Sequence, residues 1–273
     1  MVFKSITSDA ISSLNIGRLE SLTLHECPEV GEFLTTSTSV AQLTLKSFEL
    51  VTYRTLLGSP SILDAFLRGF QSLKRLYLSV DDRSLEPETI WMSVAHHKNT
   101  LKELILNSNP TYFDGTFDGL SPRFLDTAGV YHLDLDFFGP NCRLTDAKSR
   151  FHLVSGAENL KILHIRRGPH DGFLDLLNNN YTVARDLDEL CSCVFGPKGL
   201  PKLDFVAYGD FTTSSQPRRS RQFFRRVRQP SVALSGHHWA SQVRYENIVD
   251  EEIESLPDLS CFLTSLKACH HGE

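Results

Sequence analysis

Three residues of this chain could form the start of a catalytic or metal site, with an imidazole between two carboxylates. Asp134, His164 and Asp204 occupy the same position in three successive copies of a recurring apolar phrase. If these copies form neighbouring parallel strands, their equivalent side chains lie about 4.8 Å apart. A histidine flanked by carboxylates is how a general base or a zinc site begins.

The same row also has a simpler interpretation. The three polar side chains could pair with one another on an open surface, which adds little to the stability of the protein. No Ser or Cys nucleophile stands at a matching position, and an open sheet does not exclude water. The motifs G-x-G-x-x-G, the Walker loop, H-E-x-x-H and G-x-S-x-G are also missing. We therefore predict no catalytic residue, no metal site and no cofactor.

The phrase that carries these residues consists of an apolar residue, two variable residues, Leu, one variable residue and another apolar residue. Its seven copies are Leu19-Leu22-Leu24, Val40-Leu43-Leu45, Leu73-Leu76-Leu78, Leu101-Leu104-Leu106, Val130-Leu133-Leu135, Leu160-Leu163-Ile165 and Leu200-Leu203-Phe205. Such L-x-x-L-x-L phrases are typical of leucine-rich repeats, in which each phrase forms one short strand of a solenoid. The sequence therefore predicts a non-enzymatic scaffold that binds through a concave surface.

Helices are predicted in the segments between the phrases. Pro60 and Pro87 stand where a proline is favoured in the first turn of a helix, and Thr145 starts a third apolar-periodic segment. The longest segment has two apolar clusters, at 173–177 and 187–194, and predicts two helices. The fold class is thus α/β, with parallel strands on the concave face and helices on the convex face.

Three parts are predicted along the chain. Residues 1–18 form a lead-in or cap, residues 19–211 form the solenoid, and residues 212–273 form an Arg-rich linker followed by an acidic helix. Only Cys27 and Asn109 occupy the position where regular repeats carry Asn or Cys, so we expect an irregular horseshoe.

Composition limits the compartment and the partner. The net charge of −5 over 273 residues does not suggest nucleic acid. Residues 1–18 have no apolar run typical of a signal peptide, and no stretch approaches the roughly 18 apolar residues that cross a bilayer. The six cysteines form no spaced framework. We expect an intracellular protein, cytoplasmic or nuclear, with no membrane association.

Two stretches resemble fungal F-box/leucine-rich-repeat proteins. Residues 90–106 (IWMSVAHHKNTLKELIL) are similar to the helix–strand unit of that family, and residues 195–211 (FGPKGLPKLDFVAYGDF) to its terminal repeat. The resemblance implies substrate recognition for a ubiquitin ligase through the repeats, with an N-terminal F-box that docks a Skp-type adaptor. No L-P-x-E-I opening precedes Leu19, so we do not expect adaptor docking by this chain.

The concave face should carry the residues that alternate with the buried ones in each phrase. In parallel register Arg75 is expected beside Glu103, and Asp136 beside Arg166. Because Tyr and Arg dominate many interfaces, we predict a partner-binding hot spot in the central repeats. Its residues are Arg75, Tyr77, Glu103, Asp134, Asp136, His164 and Arg166.

An alternative function comes from residues 218–228, where six arginines surround Phe223 and Phe224. Arginines interleaved with aromatic residues can bind RNA or direct nuclear import. An acidic stretch follows closely and can neutralise them within the chain. We therefore keep a nuclear or nucleic-acid-associated role as the alternative to protein recognition.

Overall fold

The computed structural model describes most of the predicted repeat region and parts of the C-terminal segment. The described residues are 2–3, 16–40, 43–52, 59–80, 87–108, 133–140, 142, 144–149, 157–166, 180–209, 211, 221–227, 244–248, 250–253 and 255–266.

The described strands form one sheet of ten, in which the strands follow one another in chain order. They are β1 (Val2–Phe3), β2 (Ser21–His25), β3 (Ser47–Thr52), β4 (Arg75–Val80), β5 (Glu103–Ser108), β6 (Phe137–Pro140), β7 (Ile162–Ile165), β8 (Phe205–Tyr208), β9 (Gln222–Val227) and β10 (Arg244–Ile248). Strands β1 to β8 are parallel, whereas β9 runs antiparallel to both β8 and β10.

Helices occupy the connections between parallel strands and the region after β10. They are α1 (Val30–Val40), α2 (Pro60–Arg68), α3 (Pro87–His96), α4 (Leu144–Ser149), α5 (Asn180–Val194), α6 (Asp250–Ile253) and α7 (Leu263–Leu266). Two 3-10 helices cover Ile16–Arg18 and Pro257–Phe262. The α/β class predicted from the sequence is confirmed.

Helix positions follow the sequence signals closely where the chain is described. Pro60 and Pro87 are the first residues of α2 and α3. Proline has no backbone N–H, and this costs nothing in the first turn of a helix, where the N–H groups have no partner within the helix. Helix α5 buries Leu187 and Val194 at helical spacing. Helix α4 begins at Leu144, one residue before the predicted start. The other predicted helix, around 173–177, lies outside the described residues.

The main hydrophobic cluster lies between the sheet and helices α1 to α5. Inward strand residues such as Leu22, Leu76 and Leu104 are completely buried against apolar helix residues such as Phe33 and Phe66. Neighbouring helices pack on one another as the strands do, α1 on α2 and α2 on α3. This arrangement leaves the opposite face of the sheet without a covering from α1 to α5.

Three of the seven predicted strands are out of frame. β3 pairs Phe48 with Leu22 and Leu50 with Leu24, so the second phrase is Leu45-Phe48-Leu50 instead of Val40-Leu43-Leu45. In the same way the fifth phrase moves to Leu135-Phe138-Pro140, and the seventh to Leu203-Val206-Tyr208. Leu43, Leu133 and Leu203 are buried all the same, but they precede the strands that they were predicted to form.

One signal in the sequence marks the correct frame. In every observed phrase the first Leu is followed by a charged residue, and backbone N–H groups of the next repeat bond to its carbonyl oxygen. Lys74, for example, accepts hydrogen bonds from Lys102 N at 2.8 Å and Glu103 N at 3.0 Å. The residues at this position are Glu20, Lys46, Lys74, Lys102, Asp136, Lys161 and Asp204.

The sheet continues past the predicted end of the repeats at residue 211. β9 and β10 lie within the segment that was predicted as an Arg-rich linker followed by an acidic helix. Glu246 belongs to β10, and helix α6 begins only at Asp250. Residues 222–227 are therefore a strand and not a linker, and the acidic stretch starts in a strand at Glu246 before its helical part at 250–253.

Candidate functional site

We call the sheet face opposite helices α1 to α5 the second face. It carries the residues that alternate with the buried Leu residues of each strand, as the sequence predicted for β2, β4, β5 and β7. For the three strands that change frame the set is corrected. In β3 the face carries Ser47, Glu49 and Val51, in β6 it carries Phe137 and Gly139, and in β8 it carries Phe205 and Ala207.

The second face is partly covered by the chain's own C-terminal residues, 250–253 and 255–266, which we call the cover. A second hydrophobic cluster joins strand residues such as Tyr77, Ile105 and Phe137 to cover residues such as Leu259 and Phe262. The Phe262 ring stacks on the Phe137 ring, with 6.0 Å between centroids and 24° between planes. The repeat pattern does not predict this contact, because it cannot locate a segment so distant in the chain.

At the centre of the cover, three polar side chains meet. The Tyr77 hydroxyl donates to Glu103 Oε2 at 2.7 Å and lies 2.9 Å from Ser265 Oγ. The Ser265 hydroxyl also donates to the Glu103 carboxylate. Burial, followed by the charge of Glu103, raises the pKa of Tyr77 well above its usual range. Tyr77 and Ser265 are therefore sealed from solvent, and they hold Glu103 through two hydroxyl groups.

Two other predicted hot-spot residues lie in the interior. His164 is fully buried, its Nε2 donates to the Gly209 carbonyl oxygen at 2.8 Å, and its ring meets the rings of Phe137 and Phe211 edge-on. Burial and the neighbouring Arg166 guanidinium lower the pKa of His164 to about 3. The Arg166 side chain is only 4% exposed. Tyr77, His164 and Arg166 are all buried, so none of the three side chains can contact a partner in this state.

The predicted row of Asp134, His164 and Asp204 does not form. Asp134 and Asp204 precede β6 and β8, because those phrases were out of frame, whereas His164 lies within β7. Asp134 is instead paired with Lys102 Nζ at 2.5 Å, and this contact lowers the pKa of its carboxyl group. Asp136 Oδ1 lies 3.4 Å from Lys161 Nζ. The pair that the sequence predicted, between Asp136 and Arg166, does not form.

The open part of the second face lies toward its N-terminal strands. His25 Nε2 lies 3.1 Å from Glu49 Oε1, and both side chains keep some exposure to solvent, 21% and 16%. Arg75 is opposite Glu103 in the register of β4 and β5, as predicted, and both are half-buried. Of the seven predicted hot-spot residues, Arg75 and Glu103 are therefore those that lie on the second face and keep part of their surface exposed.

A groove of about 820 Å³ lies between the cover and the last strands of the sheet. Its sheet side carries charged residues, among them Lys161, Asp204 and Arg225, and its cover side includes Ser260 and Cys261. This volume is in the range of pockets that bind small molecules or side chains of a partner. Arg225 is held there by Glu246, with 2.9 Å between Arg225 Nε and Glu246 Oε1.

The Arg-rich stretch is largely a strand. Phe223 and Phe224 are buried, and Arg226 donates to the carbonyl oxygens of Leu200 and Pro201 at 2.7 and 2.8 Å. Arg221 lies over the Phe211 ring at 5.9 Å. The described arginines at 221, 225 and 226 thus make contacts within the chain. The alternative role through residues 218–228 stays a prediction, because Arg218, Arg219 and Arg228 lie outside the described residues.

The described residues form neither a metal-binding group nor a membrane-spanning helix. Within those ranges, no three His, Cys, Asp or Glu side chains are grouped so that they could hold a metal ion. None of the described helices combines the length and the apolar composition that crossing a membrane requires. Comparison with protein-family models, with curated proteins and with solved structures gives no match for this chain.

Proposed function

We propose that this chain is a leucine-rich-repeat solenoid that acts as a non-enzymatic recognition scaffold and binds a protein partner through its second face. The observation that carries the proposal is the chain-order sheet, in which β1 to β8 are parallel and helices α1 to α5 stand on one side. Each repeat then adds one strand to a continuous surface, which is how solenoids make extended binding faces.

A relationship to the repeat region of fungal F-box/leucine-rich-repeat proteins belongs to the same proposal. The stretch at 90–106, which resembles the helix–strand unit of that family, runs from helix α3 into strand β5. The stretch at 195–211 includes strand β8, the last parallel strand of the described sheet. By this proposal the chain selects a protein partner and performs no chemistry on it.

Arg75 is the residue that tests the proposed face best. It is half-buried on the second face opposite Glu103, and arginine is enriched among residues that dominate interface energies. We expect Arg75→Ala to weaken partner binding by more than about 1 kcal/mol without unfolding the chain. Arg185→Ala is the matched control, because Arg185 is 68% exposed on helix α5, on the opposite side of the sheet.

The experiment immobilises the purified chain, captures partners from an extract and quantifies them by mass spectrometry for the parent and both variants. Proteins that are lost with Arg75→Ala and retained with Arg185→Ala support the proposal. Equal capture by all three chains would contradict it. Capture that falls steeply with salt and ends after nuclease treatment would support the nucleic-acid alternative instead.

A further inference from the structure

The cover is built differently from the rest of the molecule. Its helical segments are short, from Asp250 to Ile253, Pro257 to Phe262 and Leu263 to Leu266. Helices of this length are not stable alone in water. The backbone hydrogen bonds described for its turns are local, such as Leu259 N to Leu256 O at 3.1 Å. The described contacts that attach the cover to the sheet are therefore contacts of side chains.

Those contacts belong to the second hydrophobic cluster and not to the main one. The main cluster, between the sheet and helices α1 to α5, contains no residue of the cover. Leu259, Phe262 and Leu266 pack instead on Tyr77, Ile105 and the strand residues beside them. Lifting the cover would consequently leave the packing of strands on helices α1 to α5 intact.

An uncovered second face would expose a row of large apolar side chains. Tyr77, Ile105, Phe137, Ile162 and Phe205 are each at most 4% exposed in the covered state. Soluble chains rarely present a contiguous apolar patch of that kind to water. The open state is therefore favoured only when another surface of similar chemistry takes the place of the cover.

The side chains of the cover show which groups the second face can bind. Leu259, Phe262 and Leu266 stand at i, i+3 and i+7, which places them on one side of a helical segment. Between them Ser265 presents the hydroxyl that meets Tyr77 and Glu103. An occupant of the face thus needs three large apolar groups at helical spacing and one hydroxyl donor.

We propose that the cover is an exchangeable intrachain ligand, and that the partner binds by placing a short amphipathic helical segment of this same pattern on the second face. This proposal rests on the proposed function and names its partner class. The tethered cover competes at an effective concentration on the order of millimolar, so it weakens the apparent affinity of the partner. The groove beside Ser260 and Cys261 gives the incoming segment a place to start while the cover is still bound.

The test uses the full chain and a fluorescein-labelled peptide of residues 250–266. Ser265→Glu puts a second carboxylate against Glu103 in a buried site, where like charges repel, and should release the cover. Ser255→Glu is the matched control, because Ser255 is exposed in the cover, does not line the groove, and donates its hydroxyl locally, to Glu252 O at 2.7 Å. Fluorescence anisotropy measures the peptide affinity of each chain.

We expect Ser265→Glu to bind the peptide at least tenfold more tightly than the parent, and Ser255→Glu to bind within twofold of the parent. A peptide with Phe262→Ser should lose the gain. Hydrogen exchange of residues 255–266 should speed up in Ser265→Glu, while exchange in β4 and β5 should stay slow.

Three results would overturn the proposal. Ser265→Glu could remove the cooperative melting transition of the whole chain, which would make the cover part of the core. It could release the cover without a gain in peptide binding. It could also leave both exchange and binding unchanged. None of these three results would contradict the proposed function. The proposed function is contradicted by a different result, namely that Arg75→Ala leaves the capture of partners unchanged.

Discussion

The two hydrophobic clusters should respond differently to the same substitution, and a pair of phenylalanines makes the comparison direct. Phe66 is fully buried in the main cluster, with ring centroids 5.0 Å from Phe48 and 5.5 Å from Phe70. Phe262 is 8% exposed in the second cluster and stacks on Phe137. Replacing a buried Phe by Ala removes about 3–5 kcal/mol through lost transfer and cavity terms.

For Phe66→Ala we expect this loss in the free energy of unfolding of the whole sheet. In a chain of this size, about 1 kcal/mol shifts the melting temperature by roughly 2–4 °C, so the expected fall is about 6–20 °C. For Phe262→Ala we expect the same loss in the free energy of opening of the cover, and not in the free energy of unfolding of the whole sheet. Three kcal/mol there corresponds to roughly a 150-fold faster hydrogen exchange of residues 255–266, with a melting temperature within about 3 °C of the parent.

The measurements are differential scanning calorimetry for the whole chain and hydrogen exchange with mass spectrometry for the cover. The reasoning is refuted if Phe262→Ala lowers the melting temperature as much as Phe66→Ala does. The two clusters would then form one cooperative unit, and the cover could not open without unfolding the sheet.

Two further predictions concern the interior of the sheet. Leu104 is fully buried in β5, so Leu104→Ala should cost on the order of 2–5 kcal/mol in urea denaturation, and an unchanged midpoint would mean that the register given for β5 is wrong. The pKa of His164 lies near 3 in the folded chain and near 6.5 when unfolded, so the unfolded state binds more protons between these values. Stability from this group is complete above pH 6.5 and declines as the pH falls, by about 2 kcal/mol at pH 5. His164→Gln keeps an N–H for the Gly209 carbonyl and should reduce the loss of stability between pH 7.5 and 5 by that amount; an equal loss in both chains would contradict the assignment of a neutral buried histidine.

The apolar phrases contained enough information to predict repeated strands, but not their frame. Leu43 and Leu45 are both buried, as are Phe48 and Leu50 five residues later, so burial does not distinguish the two choices. What selects the second is the bonding of Lys46 N and Ser47 N to the Glu20 carbonyl oxygen, at 2.8 and 3.0 Å. The sequence does not show which backbone groups will bond, because every residue has the same ones. The start of each strand is marked in the sequence only by the charged residue that follows the first Leu of the phrase.

The hot-spot prediction depended on the assumption that the second face is open. Arg75 and Glu103 face each other in the register as predicted, because the phrases of β4 and β5 were in frame. Asp134 and Asp136 do not lie on the face, because the frame predicted for their phrase was wrong. Tyr77 lies on the face as predicted, but Ser265 of the cover contacts its hydroxyl. The contact between Tyr77 and Ser265 joins residues 188 positions apart, beyond the reach of any local pattern.

Several helices and the presence of repeated strands could be predicted from the sequence, because helical and strand periodicity are local properties of the chain, whereas the frame of three strands and the existence of β9 and β10 could not. Pro60, Pro87 and the apolar spacing in 187–194 were sufficient to predict helices, and the recurring phrases were sufficient to predict parallel strands. How much of the second face stays open is decided only in the tertiary structure. That outcome depends on the second cluster, which joins strand residues such as Tyr77 to cover residues such as Leu266 that are far away in the sequence.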